Sequence, residues 1–173
     1  MEEEENNILE NDLIVPKPLL RKLKWLFPFY RIPKLKEYRE KIIADSKAHN
    51  QLPYYAKFDI NNDGKEEIML MQRTILGGVG RLLIISERDD KFHIDTIKWR
   101  PPVNSMFFDY RITTALPEKY QTFGLKIGKR DTTTKDNQMR SKKIQVDYPH
   151  LKTEGYLSRI VYWDGTDYCE ERV

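Results

Sequence analysis

The sequence predicts an α+β fold: a mainly antiparallel β-sheet or meander with one main helix near the N-terminus. Apolar residues recur at helical spacing before residue 50, and short apolar runs separated by turn residues fill the chain after it. An Asp-Gly pair near the C-terminus adds a strong hairpin signal. Runs of this kind, bounded by Gly, Asn and Asp, are typical of strands joined by tight turns.

The composition predicts a single domain over residues 16–173. A chain of 173 residues with 39% hydrophobic content can build one sizeable core without disulfides. The 30 basic and 27 acidic residues leave a net charge of +3, which is too small to demand nucleic acid or an anionic membrane as partner. Cys169 is the only cysteine, so an intrachain disulfide is excluded.

Residues 1–15 combine a glutamate run with few apolar side chains, which predicts a flexible acidic tail. A secretory signal needs basic residues followed by an unbroken apolar run, and the tail has the opposite pattern. We expect a cytoplasmic protein if the chain is complete. If it is a mature fragment, a periplasmic or extracellular location stays open.

Residues Lys17–Lys36, called the basic segment here, carry seven basic and no acidic residues. Its prolines predict only short helical pieces, with at most two turns over Leu19–Leu26. We expect its aromatic residues, Trp25 and Phe29 above all, to be buried against the domain, because exposed aromatics would create an adhesive patch.

The main helix is predicted after Pro33 and should end near His49-Asn50. Its apolar positions recur at helical spacing: Leu35, Tyr38, Ile42 and Ile43.

From Tyr54 onward the pattern predicts strands. The candidates are Tyr54–Ile60, Glu67–Arg73, Arg81–Glu87, Lys91–Trp99, Met106–Ile112, Phe123–Ile127, Lys142–Val146, Leu157–Trp163 and Asp167–Glu171. Asp164-Gly165 should join the last two in a type I′ turn, which needs positive φ angles that Asp and Gly tolerate.

The acidic loop Asp59–Glu67 is the one motif with chemistry in it. Oxygen-bearing side chains stand at the alternate positions Asp59, Asn61 and Asp63, followed by a glycine. Alternate oxygens around a sharp turn can converge on a calcium ion, with the Lys65 carbonyl and the Glu67 carboxylate as further ligands. The twelfth position of the helix-loop-helix calcium motif is a leucine instead of glutamate, which excludes a paired-helix calcium sensor.

The loop resembles the calcium-loop hairpin of FG-GAP and VCBS-type repeats, in which an Asp-x-Asn-x-Asp-Gly-x-x-Glu/Asp loop joins two strands. One copy cannot supply the four or more blades of a propeller, so the resemblance is to a hairpin only. The chain also resembles small uncharacterised bacterial proteins, often lipoproteins, through the Gly-rich turn 77–80 and the closing run Tyr162-Trp163-Asp164-Gly165-Thr166-Asp167-Tyr168. The resemblance implies a structural calcium ion without chemistry.

Three classes of function stay open. The first is a non-enzymatic binding or interaction module with one structural calcium-type hairpin, for which a protein partner is favoured. The second is a hydrolase whose active site is assembled by the fold, for example around His93. The third is a peripheral membrane or nucleic-acid binder that uses the basic segment, with nucleic acid disfavoured by the charge balance. The sequence does not predict an oligomeric state.

Overall fold

A computed structural model describes residues 15–75, 80–99, 111–123, 141–154 and 158–173. The described residues form two compact units, one from residues 15–57, 67–75, 80–99 and 111 and the other from residues 58–66, 112–123, 141–154 and 158–173. The expectation of one domain over 16–173 stays a prediction. Residues 1–14 of the predicted tail lie outside the described residues.

The N-terminal part forms two α-helices of equal length, α1 (Lys17–Leu26) and α2 (Glu40–His49), with a 3-10 turn at Leu35–Glu37 between them. The helix predicted over Leu19–Leu26 begins two residues earlier than expected, because α1 has 10 residues and starts at Lys17. Pro18 lies in its first turn, where the missing N–H would have had no helical partner. The predicted end of the second helix is confirmed: Asn50 caps it with a left-handed φ of 49°.

The first unit contains a five-stranded antiparallel sheet. Its strands are β1 (Tyr30–Arg31), β2 (Tyr55–Phe58), β3 (Glu67–Thr74), β4 (Gly80–Arg88) and β5 (Lys91–Trp99). The order is β1-β3-β4-β5, and β2 also pairs with β3. Asp89 and Asp90 alone join β4 to β5, both at positive φ, since Arg88 pairs directly with Lys91.

The core of the first unit lies between α1 and one face of the sheet. Alternate residues of β3 and β4 point to this face, because successive side chains of a strand point to opposite sides. The buried set is Val15, Leu19, Leu23, Ile68, Leu70, Leu83 and Ile85. A second cluster joins the turn after β1 to the start of β2, where the rings of Tyr38 and Tyr54 stack with centroids 5.9 Å apart.

The second unit contains a four-stranded and a two-stranded antiparallel sheet. Its strands are β6 (Arg111–Ala115), β7 (Glu118–Phe123), β8 (Ser141–Val146), β9 (His150–Glu154), β10 (Arg159–Trp163) and β11 (Tyr168–Arg172). The larger sheet has the order β11-β10-β9-β6, and β7 pairs with β8. Tyr120, Val146 and Ile160 form a buried cluster in this unit.

The predicted fold class is confirmed: the described residues form antiparallel sheets preceded by helices. The hairpin at Asp164 is confirmed, but its loop holds the four residues 164–167, because Trp163 pairs with Tyr168. The two-residue turn predicted there is therefore wrong. Residues 106–110 and 124–127 of the predicted strands lie outside the described residues.

Candidate functional site

The acidic loop connects β2 to β3 and is shaped by two residues with positive φ. Asn62 has φ 57° and Gly64 has φ +83°. A Cβ at Gly64 would meet no atom within 4 Å, so the demand for glycine comes from the backbone conformation and not from crowding. Ile60 is fully buried and fixes the beginning of the loop.

The side chains of the loop accept hydrogen bonds from its own backbone. Asp63 N–H donates to Asp59 Oδ1 at 3.1 Å and to Asn61 Oδ1 at 3.0 Å. Gly64 N–H donates to Asp59 Oδ2 at 2.8 Å, and Lys65 N–H donates to Asp63 Oδ1 at 2.9 Å. The three alternate side chains are thus held by the backbone of the loop itself.

The five residues expected to bind calcium lie in different environments. Asp59 and Asn61 are half-buried, whereas Asp63 and Lys65 are exposed. Glu67 begins β3 with only 1% of its surface exposed, and it interacts with other groups of the chain. A buried carboxylate needs a compensating partner, because its desolvation is expensive.

The donor chemistry of the loop suits a hard cation. An ionised carboxylate offers about four acceptor positions, and each Asp59 oxygen accepts one backbone hydrogen bond, so each retains capacity. Among the described residues, however, no three His, Cys, Asp or Glu side chains are grouped closely enough to hold a metal ion. The oxygen set that remains for a cation therefore includes the Asn61 amide and the Lys65 carbonyl.

The basic segment differs from its prediction. Trp25 is 81% and Phe29 is 74% exposed, so the expected burial of these rings is wrong. Leu19 and Leu23 fill the core instead, and the rings of Phe27 and Tyr30 lie 4.0 and 3.2 Å from the Arg81 guanidinium carbon. Phe27 and Tyr30 therefore contribute to packing, whereas Trp25 and Phe29 project outward.

The three histidines lie in different environments. His49 and His93 are exposed. His150 is fully buried, and its Nε2 lies 2.7 Å from the Tyr120 hydroxyl while its Nδ1 lies 3.2 Å from the Tyr148 carbonyl oxygen. A carbonyl only accepts, so Nδ1 carries the proton and the neutral ring accepts from Tyr120 at Nε2. Local spacing gives no signal for this pair, because 30 residues separate its members.

Cys169 is buried within the C-terminal hairpin. Its Sγ donates to Asp164 Oδ2 at 3.3 Å, and the other oxygen of Asp164 accepts from the N–H groups of Thr166 and Asp167, both at 2.9 Å. The thiol and the carboxylate thus hold the four-residue turn together.

No helix within the described ranges has the length and apolar character needed to span a membrane. Comparison of the chain with protein-family models, with curated proteins and with solved structures finds no match.

Proposed function

We propose that the protein is a non-enzymatic binding module in which one structural calcium ion closes the acidic loop, and that its partner is a protein. The observation that supports the calcium ion is that Asp59, Asn61 and Asp63 all accept hydrogen bonds from the loop's own backbone. The backbone N–H groups already order these side chains, so ordering them for a cation would cost little conformational entropy.

Calcium takes six to eight oxygens in a flexible arrangement, whereas magnesium demands a tight octahedron and retains its water. Asp59, Asn61, Asp63 and Glu67 would supply side-chain oxygens once the ion draws the three carboxylates together, and Lys65 would supply its carbonyl. All of these ligands are used in binding the ion. The role of the ion is therefore to stiffen the hairpin between β2 and β3. With three carboxylates and no twelfth-position glutamate, we expect a dissociation constant on the order of 10⁻⁴ M.

The surroundings of the histidines support a binding role over hydrolysis. A general base must lie within hydrogen-bond reach of its substrate. His150 already accepts from Tyr120 inside the fold, and His93 lies exposed on β5 opposite Ser86. A protein partner is favoured over a small molecule because proteins bind to broad surfaces without needing a reactive centre.

Thermal unfolding with chelator, calcium or magnesium tests the calcium proposal. At ten times the dissociation constant, calcium should add roughly 1.4 kcal/mol to the free energy of unfolding, and magnesium much less. Asp63→Asn keeps the acceptor for Lys65 N–H but removes one charge, so it should lose most of this increment. Asp95→Asn, at an exposed position of β5, is the matched control and should keep it.

Equal melting of the unaltered protein in chelator and in millimolar calcium, with no heat of binding by calorimetry, would contradict the calcium proposal. The non-enzymatic role has its own test in a panel of ester, phosphate and peptide substrates. Turnover that His93→Ala abolishes while the fold stays intact would establish the hydrolase alternative instead.

A further inference from the structure

Four apolar side chains of the first unit form what we call the exposed tip: Trp25, Leu26, Phe29 and Ile75. Their exposed fractions are 81%, 38%, 74% and 57%. The N–H of Ile75 donates to the carbonyl oxygen of Phe29 at 2.9 Å, so the end of β3 and the turn after α1 are joined at this place. Side chains exposed to this degree project from the surface and do not line a groove.

Exposed cations lie along α1, which ends at the exposed tip. Lys17, Arg21 and Trp25 follow one another at intervals of four residues, so they share the face of α1 that points away from the core. Arg31 is neutralised by Glu37, whose carboxylate it contacts at 2.7 Å. Lys22 donates to the carbonyl oxygen of Phe92. No described residue forms an ion pair with the other exposed cations of the basic segment, which are Lys17, Arg21, Lys24, Lys34 and Lys36.

The turn Asp89-Asp90 lies at the end of the sheet that is remote from the exposed tip. Arg81, at the beginning of β4, is covered by Phe27 and Tyr30, which places the end of α1 there. Asp89 and Asp90 follow the opposite end of β4, roughly 23 Å away at about 3.3 Å per strand residue. The apolar side chains thus lie at the end of the sheet that is remote from Asp89 and Asp90.

We infer that the exposed tip docks the protein on a membrane surface rich in anionic lipids. Leu19 and Leu23 are buried in the core, so α1 cannot insert an apolar face. The contact is made by Trp25, Phe29 and Ile75 entering the interface, while the neighbouring lysines and arginines face lipid phosphates and carboxylates. A fluid interface accommodates projecting rings, whereas a folded protein partner needs a preformed pocket for each. This inference goes beyond the proposed function and does not depend on calcium.

Vesicle co-sedimentation of the full chain tests it, with vesicles of phosphatidylcholine alone or mixed with phosphatidylserine. We expect binding only to the mixed vesicles, weakening as salt is raised, because surface charges are screened within a Debye length. Trp25→Ser with Phe29→Ser should weaken binding at least about tenfold. Arg21→Glu with Lys24→Glu should weaken it by about tenfold or more.

Two variants are matched controls. Leu116→Ser removes an apolar side chain that is 78% exposed in the second unit, and Lys47→Glu reverses an exposed charge on α2. Both should bind like the unaltered protein. Absence of binding to mixed vesicles at low salt, or equal binding by the Trp25→Ser, Phe29→Ser variant, would overturn the inference. So would a dimer in ultracentrifugation that this variant converts to monomers, because the tip would then be a contact between copies.

Discussion

The hydrogen bond between Tyr120 and His150 joins β7 to β9 inside the second unit. Burial and a hydrogen bond to Glu118 raise the pKa of Tyr120 to about 12, so the hydroxyl keeps its proton. Tyr120→Phe should leave His150 Nε2 buried without a donor, which costs about 1–3 kcal/mol of unfolding free energy. Denaturant titration measures the loss. Tyr148→Phe is the control, since the hydrogen bond between Tyr148 and His150 uses the backbone carbonyl of Tyr148.

His150 should also make stability depend on pH. Burial lowers the pKa of His150 below its ordinary range, assisted by the charge of Lys152 and opposed by the Tyr148 carbonyl and by Glu118. The unfolded chain therefore binds a proton at higher pH than the folded chain. The contribution is complete above the unfolded pKa of about 6.5 and is lost as the pH falls through the folded value.

Unfolding free energies measured between about pH 7.5 and about pH 5 check this prediction. The unaltered protein should lose more stability over this range than His150→Gln, which has no titrating ring at that position. His93→Gln, at an exposed site, should follow the unaltered curve. Parallel curves for the unaltered protein and His150→Gln would contradict the assignment.

At the scale of elements, the turn between β4 and β5 has two aspartates with φ of 50° and 56°. Left-handed angles at both positions define the turn that favours Asn-Gly. Asp89→Asn with Asp90→Gly should therefore raise the unfolding free energy by about 0.5–1 kcal/mol. Thermal unfolding measures this change in stability. Glu87→Gly, on the strand beside the turn, should lower stability instead, because glycine weakens a strand interior.

Elements were predictable where local chemistry decides them. The bounds of β5 were correct because Asp89-Asp90 and alternating apolar residues mark them, and Asn50 marked the end of α2. The strand β9 was missed, because His150 and Thr153 are polar residues that the fold buries. The positions of Trp25 and Phe29 were misjudged, since only tertiary packing decides which aromatics of a segment reach the core.

The same distinction holds for the candidate site. The acidic loop could be located because its oxygen-bearing residues lie within nine consecutive residues. The pairing of His150 with Tyr120 could not be predicted from the sequence, because the order of the strands brings those residues together. The exposed tip depends on a backbone contact between Phe29 and Ile75, which no local pattern indicates.

At the scale of the whole molecule, the two compact units contain separate buried clusters, and this makes the single-domain prediction testable. Leu70→Ala removes side-chain volume from the first unit, and Ile160→Ala removes it from the second. Each should cost about 2–5 kcal/mol. If residues 16–173 unfold together, either variant lowers hydrogen-exchange protection in β4 and in β10 alike. Loss confined to the altered unit would show two domains.

Cys169 gives the C-terminal hairpin a property of a different kind. The chain has one thiol, it is buried, and its S–H is held by Asp164. An alkylating reagent attacks a thiolate that it can reach, so labelling must wait until β11 separates from β10. The rate at which this thiol reacts therefore measures how often the C-terminal strand β11 separates from β10.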